Sequence, residues 1–346
     1  MKSSPNLIIL LLLAILCIAA VPAQAAAPAN TTAAFERTVI DDSGATVTIH
    51  GEPQRIVSLA PANTEILFAL GLGDRIVGVT DYCDYPAEAK TKPSIGGYST
   101  VSVEKIIAQK PDLIVASYGN GVDAVNQLNA LNQTVITLNP ENITGILNDI
   151  TMVGYATGTE DNATALGTSL GARIDAVEQN ASAMTIHPKV AHVVWNDPLY
   201  VSGNGTFQDE VITTAGGTNA FSDKQYWATV SAEEFVAADP DILIVNSGTG
   251  MGGNEDAIAL AMENDTRFAN VAAIKNHHVY VIDSDMVDRG GPRIVDALEI
   301  VAADIHDAEG TGAGAAATTP KSPGFEAVPA LAALAAGMVC ALRRLR

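Results

Sequence analysis

The sequence predicts an α/β protein of two Rossmann-like lobes, each with a mainly parallel sheet, joined by one long rigid helix. A twelve-residue pattern that reads as a Ser-capped helix, a Pro-Asp turn and a buried strand occurs twice, at 101–112 and at 230–241. Strands and helices alternate along both halves of the chain, which is typical of βαβ units with parallel strands. Between the halves, residues 159–184 form a single helical pattern.

The first half begins with a hairpin and continues as alternating strands and helices. Two β-rich runs flank Asp41-Asp42-Ser43-Gly44, which predicts an entry hairpin. Asn63 is expected to cap a helix that stops at Gly71-Leu72-Gly73. The predicted strands and helices that follow the hairpin are 55–59, 64–70, 76–79, 113–115, 121–131, 134–138 and 143–156.

Both copies of the repeat place a glutamate in the first turn of a helix. Ser102 precedes Glu104 in the first copy, and Ser231 precedes Glu233 in the second. The helix dipole favours a carboxylate at this position, so duplicated architecture alone explains the pair. A matched pair of carboxylates on two lobes also suits docking onto a two-fold symmetric basic partner. The spacing leaves both interpretations open.

The long helical pattern separates two lobes of similar design. At about 1.5 Å per residue it extends for several nanometres, much longer than a helix inside one βαβ unit. His187-Pro188 ends it, and strands at 190–195 and 279–282 and a last helix at 292–307 complete the second half. The predicted organisation is a signal peptide (1–25), N-terminal lobe (54–157), connecting helix (158–187), C-terminal lobe (188–308), linker (309–322) and tail (323–346).

The two ends of the chain indicate export and anchoring. An apolar core and Ala23-Gln24-Ala25 predict a secretory signal peptide that is cleaved after Ala25. Near the C-terminus, Pro323-Gly324-Phe325, an apolar stretch and a basic end resemble the PGF-CTERM sorting signal of archaeal surface proteins. In that family a sortase-like enzyme replaces the span with a lipid. An ordinary membrane anchor is the alternative, and both place the body at the outer face of the cytoplasmic membrane.

The composition excludes several partners and sites. Removing 1–25 and 326–346 leaves 15 basic and 38 acidic residues, a net charge of −23. Such a charge argues against nucleic acid and anionic membrane surfaces. Cys83 is then the single mature cysteine, so no internal disulfide forms and no structural zinc site is built. Seven N-x-S/T sequons fit surface glycosylation: Asn30, Asn132, Asn142, Asn162, Asn180, Asn204 and Asn264.

Six segments resemble the cobalamin and ferric-siderophore substrate-binding proteins of ABC importers. They are RIVSLAPANTEILFALG at 55–71, DYCDYP at 81–86, GGY at 96–98, both VSxE repeats and RGGPR at 289–293. The resemblance covers 35–308 in unbroken order. It implies a non-enzymatic, monomeric binding protein without a cofactor, which holds a ligand between its lobes and delivers it to a permease dimer with ATPase subunits. It also implies that Glu104 and Glu233 engage arginines of that permease.

The resemblance further implies ligand contacts at Pro61, Ala62, Asn63, Tyr82, Tyr98, Trp195, Trp227, Asp285, Met286, Val287, Asp288 and Arg289. Tyr98 stands where close relatives carry a tryptophan, and Met286 replaces an aromatic residue. Aromatic faces suit a large planar ligand such as a corrin. We therefore expect a corrinoid, with a ferric siderophore or haem as the alternative. Arg289 either grips a ligand oxygen or forms a salt bridge to Asp285 or Asp288.

Three other classes of protein fit the sequence less well. A secreted α/β enzyme is disfavoured because the chain has no H-E-x-x-H motif and no G-x-S-x-G nucleophile elbow. Its one G-x-S-x-G match, at 167–171, lies inside the long helical pattern and not at a strand-to-helix turn. A passive surface-layer glycoprotein is disfavoured because such a protein would need neither the VSxE repeat nor the cleft loops. A metal-ion receptor would use histidines that lack ligand-like spacing, namely His187, His192, His277 and His278.

Overall fold

The computed structural model describes residues 35–247 and 256–310, so the predicted signal peptide and the sorting tail lie outside the described residues. The described part begins with the predicted hairpin, formed by β1 (Glu36–Ile40) and β2 (Thr46–His50). The carboxylate of Asp41 organises the turn by accepting hydrogen bonds from the backbone nitrogens of Ser43, Ala45 and Thr137. Because Thr137 lies on the edge strand of the first sheet, the same carboxylate fixes the hairpin to the lobe.

The N-terminal lobe is built on a parallel four-stranded sheet in the order β4-β3-β5-β6. Its strands are β3 (Ile56–Ser58), β4 (Ile76–Gly78), β5 (Leu113–Ser117) and β6 (Val135–Leu138), and its helices are α1 (Pro61–Ala69), α2 (Val103–Ala108), α3 (Val122–Ala130) and α4 (Ile143–Thr157). The strands are almost entirely buried, as expected for a parallel sheet with helices on both faces.

The strand order of this sheet reverses between β3 and β5. After β3 the chain adds β4 at one edge of the sheet, whereas after β5 it adds β6 at the opposite edge. Val115 of β5 packs in the same core as Leu67 of α1, whereas Ile114 packs with Leu128 of α3. Helices α1 and α3 therefore cover opposite faces of the sheet. Such a reversal opens a crevice outside the carboxyl ends of the two strands.

The C-terminal lobe has a mixed sheet in the order β10-β8-β7-β11-β12, with a short β9 beside β7. Strands β7 (Lys189–Asn196), β11 (Ile242–Asn246), β12 (Val279–Ile282) and β9 (Thr218–Asn219) are parallel to one another. Strand β8 (Leu199–Ser202) pairs antiparallel with β7 and with the edge strand β10 (Trp227–Thr229). The helices are α6 (Phe207–Thr214), α7 (Ala232–Ala238), α8 (Ala257–Asn264), α9 (Ala272–Lys275), α10 (Ser284–Val287) and α11 (Ile294–Gly310).

One helix, α5 (Glu160–Ser182), joins the lobes as the sequence predicts. It packs against α4 of the first lobe and α11 of the second. The Arg173 guanidinium donates hydrogen bonds to Asp296 at 2.6 Å and to Glu299 at 2.8 and 2.6 Å. The connecting helix is therefore braced along its side as well as at its ends. In the described residues, no helix has the length and apolar composition that crossing a bilayer requires.

The structure confirms the serine caps of both repeats. The Ser102 hydroxyl accepts a hydrogen bond from the nitrogen of Lys105, and the Ser231 hydroxyl accepts one from Glu234. The cap expected at Asn63 was wrong, because α1 begins at Pro61 after Ala60. Proline is favoured in a first helical turn because it has no N–H that needs a partner there.

Candidate functional site

The two lobes meet at the carboxyl ends of their parallel strands. The segment 60–62 follows β3, and the segment 283–291 follows β12. A Cβ atom at Gly291 would lie 3.5 Å from the Cα atom of Ala62, so these segments are in close contact. Because both segments come from strand ends, the space between the lobes opens toward the loops at which ligands bind in open α/β sheets. We call this space the cleft.

Five charged side chains connect the lobes at the base of the cleft, and we call them the inter-lobe ion cluster: Glu65, Asp84, Asp285, Arg289 and Arg293. Glu65 of α1 is buried, and it accepts hydrogen bonds from Arg293 at 2.7 and 2.9 Å. Arg289 lies 3.2 Å from Glu65, 2.8 Å from Asp84 and 2.7 Å from Asp285. The Arg293 guanidinium also lies 4.2 Å from the ring centroid of Tyr85.

The contacts in this cluster show which of the two expected salt bridges Arg289 forms. The pair with Asp285 is present, whereas the Asp288 carboxylate accepts hydrogen bonds from Gln208 and Asn246 instead. The three carboxylates of the cluster thus surround two guanidinium groups, and Asp283 adds a fourth carboxylate 4.0 Å from Arg293. The positive charge of both arginines is therefore compensated within the protein. A ligand contact of Arg289 stays a prediction.

A buried polar network supports the loop after β12 from inside the C-terminal lobe. Asn246 donates to Asp288 at 2.8 Å, and its side-chain oxygen lies 2.9 Å from Nε2 of His192. The amide oxygen can only accept, so Nε2 carries the proton and Nδ1 accepts from the Ser202 hydroxyl at 2.9 Å. Burial lowers the pKa of His192 to about 4, so the imidazole is neutral. Asp288 is exposed as a residue, but Gln208 and Asn246 enclose its carboxylate, and this local desolvation raises the pKa of Asp288 to about 6.

The predicted aromatic contacts differ in exposure. Tyr82 is 61% exposed and Trp227 is 44% exposed, so both present open ring surface. Tyr98 is half-buried, with its hydroxyl 3.0 Å from that of Ser117. Trp195 is half-buried, and its indole nitrogen donates to the carbonyl of Asp197. The backbone carbonyl of Tyr82 reaches Arg289 at 3.5 Å, which joins the tyrosine loop to the inter-lobe ion cluster.

The remaining predicted contacts lie in the two segments that meet at the base of the cleft. Pro61, Ala62 and Met286 are half-buried. Asn63 and Val287 are buried, and the Asn63 amide donates to the carbonyls of Val115 and Ala116. Side-chain contact between these last two residues and a ligand therefore requires them to leave the lobe interior, although their backbones border the cleft.

Glu104 and Glu233 are both exposed, each in the first turn of its helix. Each helix leads to the amino end of the next strand, because the nitrogens of Asp112 and Asp241 bond to the carbonyls of Arg55 and Lys189 at the starts of β3 and β7. The helices therefore begin at the opposite, carboxyl end of their sheets. The two carboxylates consequently belong to the cleft end of their lobes.

Three of the four histidines considered as metal ligands have other side-chain partners. His192 belongs to the buried network, His187 contacts the carbonyl of Gly216, and His278 contacts that of Asp241. In the described ranges, no group of three or more His, Cys, Asp or Glu residues is arranged to hold a metal ion.

Sequence reasoning missed Glu65 and Asp84 as members of the cluster. The signal for Glu65 was available, because it is a carboxylate directly before the apolar run Ile66-Leu67-Phe68 of a buried helix. A buried carboxylate requires a cationic partner. Nothing in the sequence identified arginines more than two hundred positions away as that partner.

The sequence is similar to one known family and to several named binding proteins. The family profile described as periplasmic binding protein matches residues 56–286. The ABC transporter substrate-binding lipoprotein YvrC of Bacillus subtilis, itself uncharacterized, is 34% identical over 282 residues, covering 80% of this chain and 87% of that protein. The vitamin B12-binding protein of Vibrio cholerae is 29% identical over 251 residues, covering 72% and 87%.

Solved structures of similar proteins share the two-lobed fold. The periplasmic haem-binding protein RhuT of Roseiflexus sp. RS-1 superimposes with a TM-score of 0.66 at 29% identity, covering 74% of this chain and 98% of that one. The vitamin B12-binding protein BtuF of Vibrio cholerae gives a TM-score of 0.64 at 25% identity, covering 75% and 99%.

Proposed function

The chain belongs to the periplasmic binding protein family, as a substrate-binding protein of the ABC-importer type, and from this premise we propose that it captures a corrinoid in its cleft. Glu104 and Glu233 then dock the loaded protein onto the permease dimer, whose ATPase subunits drive uptake. The observation that carries the docking proposal is the equivalence of the two glutamates. Both are exposed at the cleft end of a lobe, whereas the last aspartates of the two repeats, Asp112 and Asp241, hold the fold through hydrogen bonds to the backbone.

The charge of the cleft favours a corrinoid over an anionic iron chelate. A corrin side-chain amide needs hydrogen-bonding groups, whereas a ferric catecholate or a haem propionate needs cations. Arg289 and Arg293 already face three carboxylates, and the body carries a net charge of −23 without its terminal segments. The exposed faces of Tyr82 and Trp227 offer apolar contact to a planar ring.

Haem is the second candidate, supported by one specific feature. An exposed phenol such as that of Tyr82 can ligate ferric haem through its oxygen. The haem-binding protein of Roseiflexus is also a close match in fold. Haem is disfavoured because its two propionates need cations. Arg289 or Arg293 would have to leave its carboxylate partners in the inter-lobe ion cluster to bind them.

A titration panel separates the candidates. Tryptophan fluorescence of the purified body should be quenched at one equivalent of cobalamin, and not by a ferric hydroxamate or a ferric catecholate. Tyr82→Ala should weaken cobalamin binding by about 1–3 kcal/mol through lost contact area. Tight haem or siderophore binding beside undetectable cobamide binding would reverse the choice of ligand.

A transport assay tests docking independently of the ligand. Glu104→Arg with Glu233→Arg should leave ligand affinity unchanged and abolish uptake, because like charges would then face the permease arginines. Glu178→Arg, at an exposed position of the connecting helix, is the matched control and should transport normally. Uptake at the wild-type rate by the double variant would mean that the repeat has a structural role only.

We also propose that the protein acts at the outer face of the cytoplasmic membrane after both terminal segments are processed. The Ala-Gln-Ala site and the Pro-Gly-Phe motif support this. The intact mass of the native protein should correspond to a chain that lacks residues 1–25 and Arg346. Retention of Arg346 would leave a simple membrane anchor in place of the sortase-type reaction.

A further inference from the structure

We infer that Tyr118 is a further ligand-contacting residue of the cleft, and that Asn120 is the residue that positions it. This inference rests on the proposed function, because it assigns a contact within the same cleft. Tyr118 begins a short 3-10 turn, Tyr118–Asn120, directly after β5. It is 67% exposed, the largest exposed fraction among the tyrosines and tryptophans of the described residues.

The topology places Tyr118 where a ligand is expected. Strands β3 and β5 flank the point at which the strand order of the N-terminal sheet reverses. Pro61 follows β3 on one side of this crevice, and Tyr118 follows β5 on the other. Because ligands of open α/β sheets bind at this position, an exposed aromatic ring here borders the cleft.

The turn that carries Tyr118 is fixed by a single buried amide. Asn120 is 2% exposed, and its side-chain nitrogen donates at 2.7 Å to the carbonyl of Leu59 and at 2.7 Å to that of Tyr98. Its side-chain oxygen accepts from the backbone nitrogen of Ser117 at 2.6 Å. One side chain thus joins the loop after β3, the loop that holds Tyr98 and the turn after β5.

Gly119 leaves room for the ring of Tyr98 against the turn that carries Tyr118. The ring of Tyr98 lies directly over the backbone of Gly119, where a Cβ atom would collide with it. The hydroxyl of Tyr98 also contacts Ser117. Tyr98 thus packs against the turn whose first residue is Tyr118. An exposed ring held by such a rigid support loses little conformational entropy when a planar ligand packs against it.

The test compares single variants of the complete mature body by cobalamin titration. Tyr118→Ala should weaken binding about 10- to 100-fold, because apolar contact area is lost. Tyr118→Phe should retain nearly all affinity, because the ring face makes the contact. Leu131→Ala is the matched control, since Leu131 is exposed just beyond the other end of α3 and should bind like wild type.

The outcomes distinguish this inference from the proposed function. A wild-type protein that binds no cobamide, haem or ferric chelate contradicts the proposed function itself. A wild-type protein that binds, together with Tyr118→Ala at control affinity, overturns only the assignment of Tyr118. Equal losses in Tyr118→Phe and Tyr118→Ala would overturn the ring contact.

A double-mutant cycle tests the positioning role of Asn120. Asn120→Ala should weaken binding in the wild-type background and much less in Tyr118→Ala, because the same contact is lost in both. Losses that simply add would show that Asn120 does not act through Tyr118. Circular dichroism and thermal denaturation of each variant establish that the folded state is being compared.

Discussion

At the scale of single residues, Glu65 connects the lobes most directly. Its side chain is 2% exposed, and both oxygens accept hydrogen bonds from Arg293. Burying a carboxylate costs several kcal/mol unless it is paired, and the paired arginines carry the same requirement. The close approach of Gly291, where a Cβ atom would lie 3.4 Å from the Glu65 carboxylate, encloses the pair further.

We therefore expect Glu65→Gln to destabilise the protein by about 3–5 kcal/mol, because two arginines lose their shared buried partner. Urea denaturation followed by circular dichroism measures this loss. Glu52→Gln removes the partly exposed partner of Arg75 and should cost less than about 1 kcal/mol. Equal effects of the two substitutions would mean that the inter-lobe pair is no stronger than a surface one.

At the scale of elements, the two repeats separate their structural residues from their exposed glutamates. Asp112 accepts hydrogen bonds from the nitrogens of Gln54 and Arg55, and Asp241 accepts one from Lys189. Basic side chains at equivalent positions, Arg55 and Lys189, donate to carbonyls at the ends of α2 and α7. The aspartates are thus occupied by the fold, whereas the first-turn glutamates face solvent.

The order and type of these elements were predictable because local chemistry specifies them. Serine caps, the turns before Pro111 and Pro240 and the apolar runs that follow act within a dozen residues. The predicted cap at Asn63 was wrong because the Asn63 amide donates to the carbonyls of β5, a tertiary contact that the residue type alone does not reveal. The contacts of Glu65, Asn120 and Arg293 cross from one element to another far along the chain, so no local pattern encodes them.

The entry hairpin is joined to the N-terminal lobe by two carboxyl groups. Asp149 of α4 is buried, and its carboxyl group lies beside that of Asp42 in the hairpin turn. Burial, followed by the neighbouring Asp42 carboxylate of the hairpin turn, raises the pKa of Asp149 to about 8. The Asp149 side chain is therefore protonated at neutral pH when the protein is folded, and ionised at neutral pH when it is unfolded.

This predicts a pH dependence with a definite sign. The raised pKa stabilises the folded state fully below about pH 4, and this stabilisation is lost as the pH rises toward about 8. Asp149→Asn removes the titration, so the variant should gain stability relative to wild type by up to about 1.4 kcal/mol per pH unit across this window.

Urea denaturation at intervals between pH 5 and pH 8 measures the difference between the two proteins. The raised pKa values of Asp288 and Asp304 contribute to both proteins and cancel in that difference. Asp161→Asn, at an exposed position on α5, should give a flat difference and serves as the control. If the stability difference between Asp149→Asn and the wild-type protein is also independent of pH, Asp149 does not titrate in this range and the prediction is wrong.

At the scale of the whole molecule, three separate contacts restrict movement between the lobes. Helix α5 is continuous over 23 residues, and Arg173 binds it to α11. The inter-lobe ion cluster joins α1 to the loop after β12 at the base of the cleft. Hinge closure requires a few residues whose backbone can rotate freely. A continuous helix braced in this way supplies none at its centre.

We therefore expect the body to bind one ligand with little change in the distance between its lobes. Small-angle X-ray scattering of the free and the loaded protein should give nearly the same radius of gyration. Arg173→Ala together with Glu65→Gln removes the brace on α5 and weakens the inter-lobe ion cluster, in which Arg289 keeps its pair with Asp84. This variant should show a larger change on loading than the wild-type protein. Glu178→Ala, an exposed substitution on the same helix, is the control and should behave as wild type. A large closure in the wild-type protein would contradict the prediction, because it would mean that the braced helix and the ion cluster yield to the free energy of ligand binding.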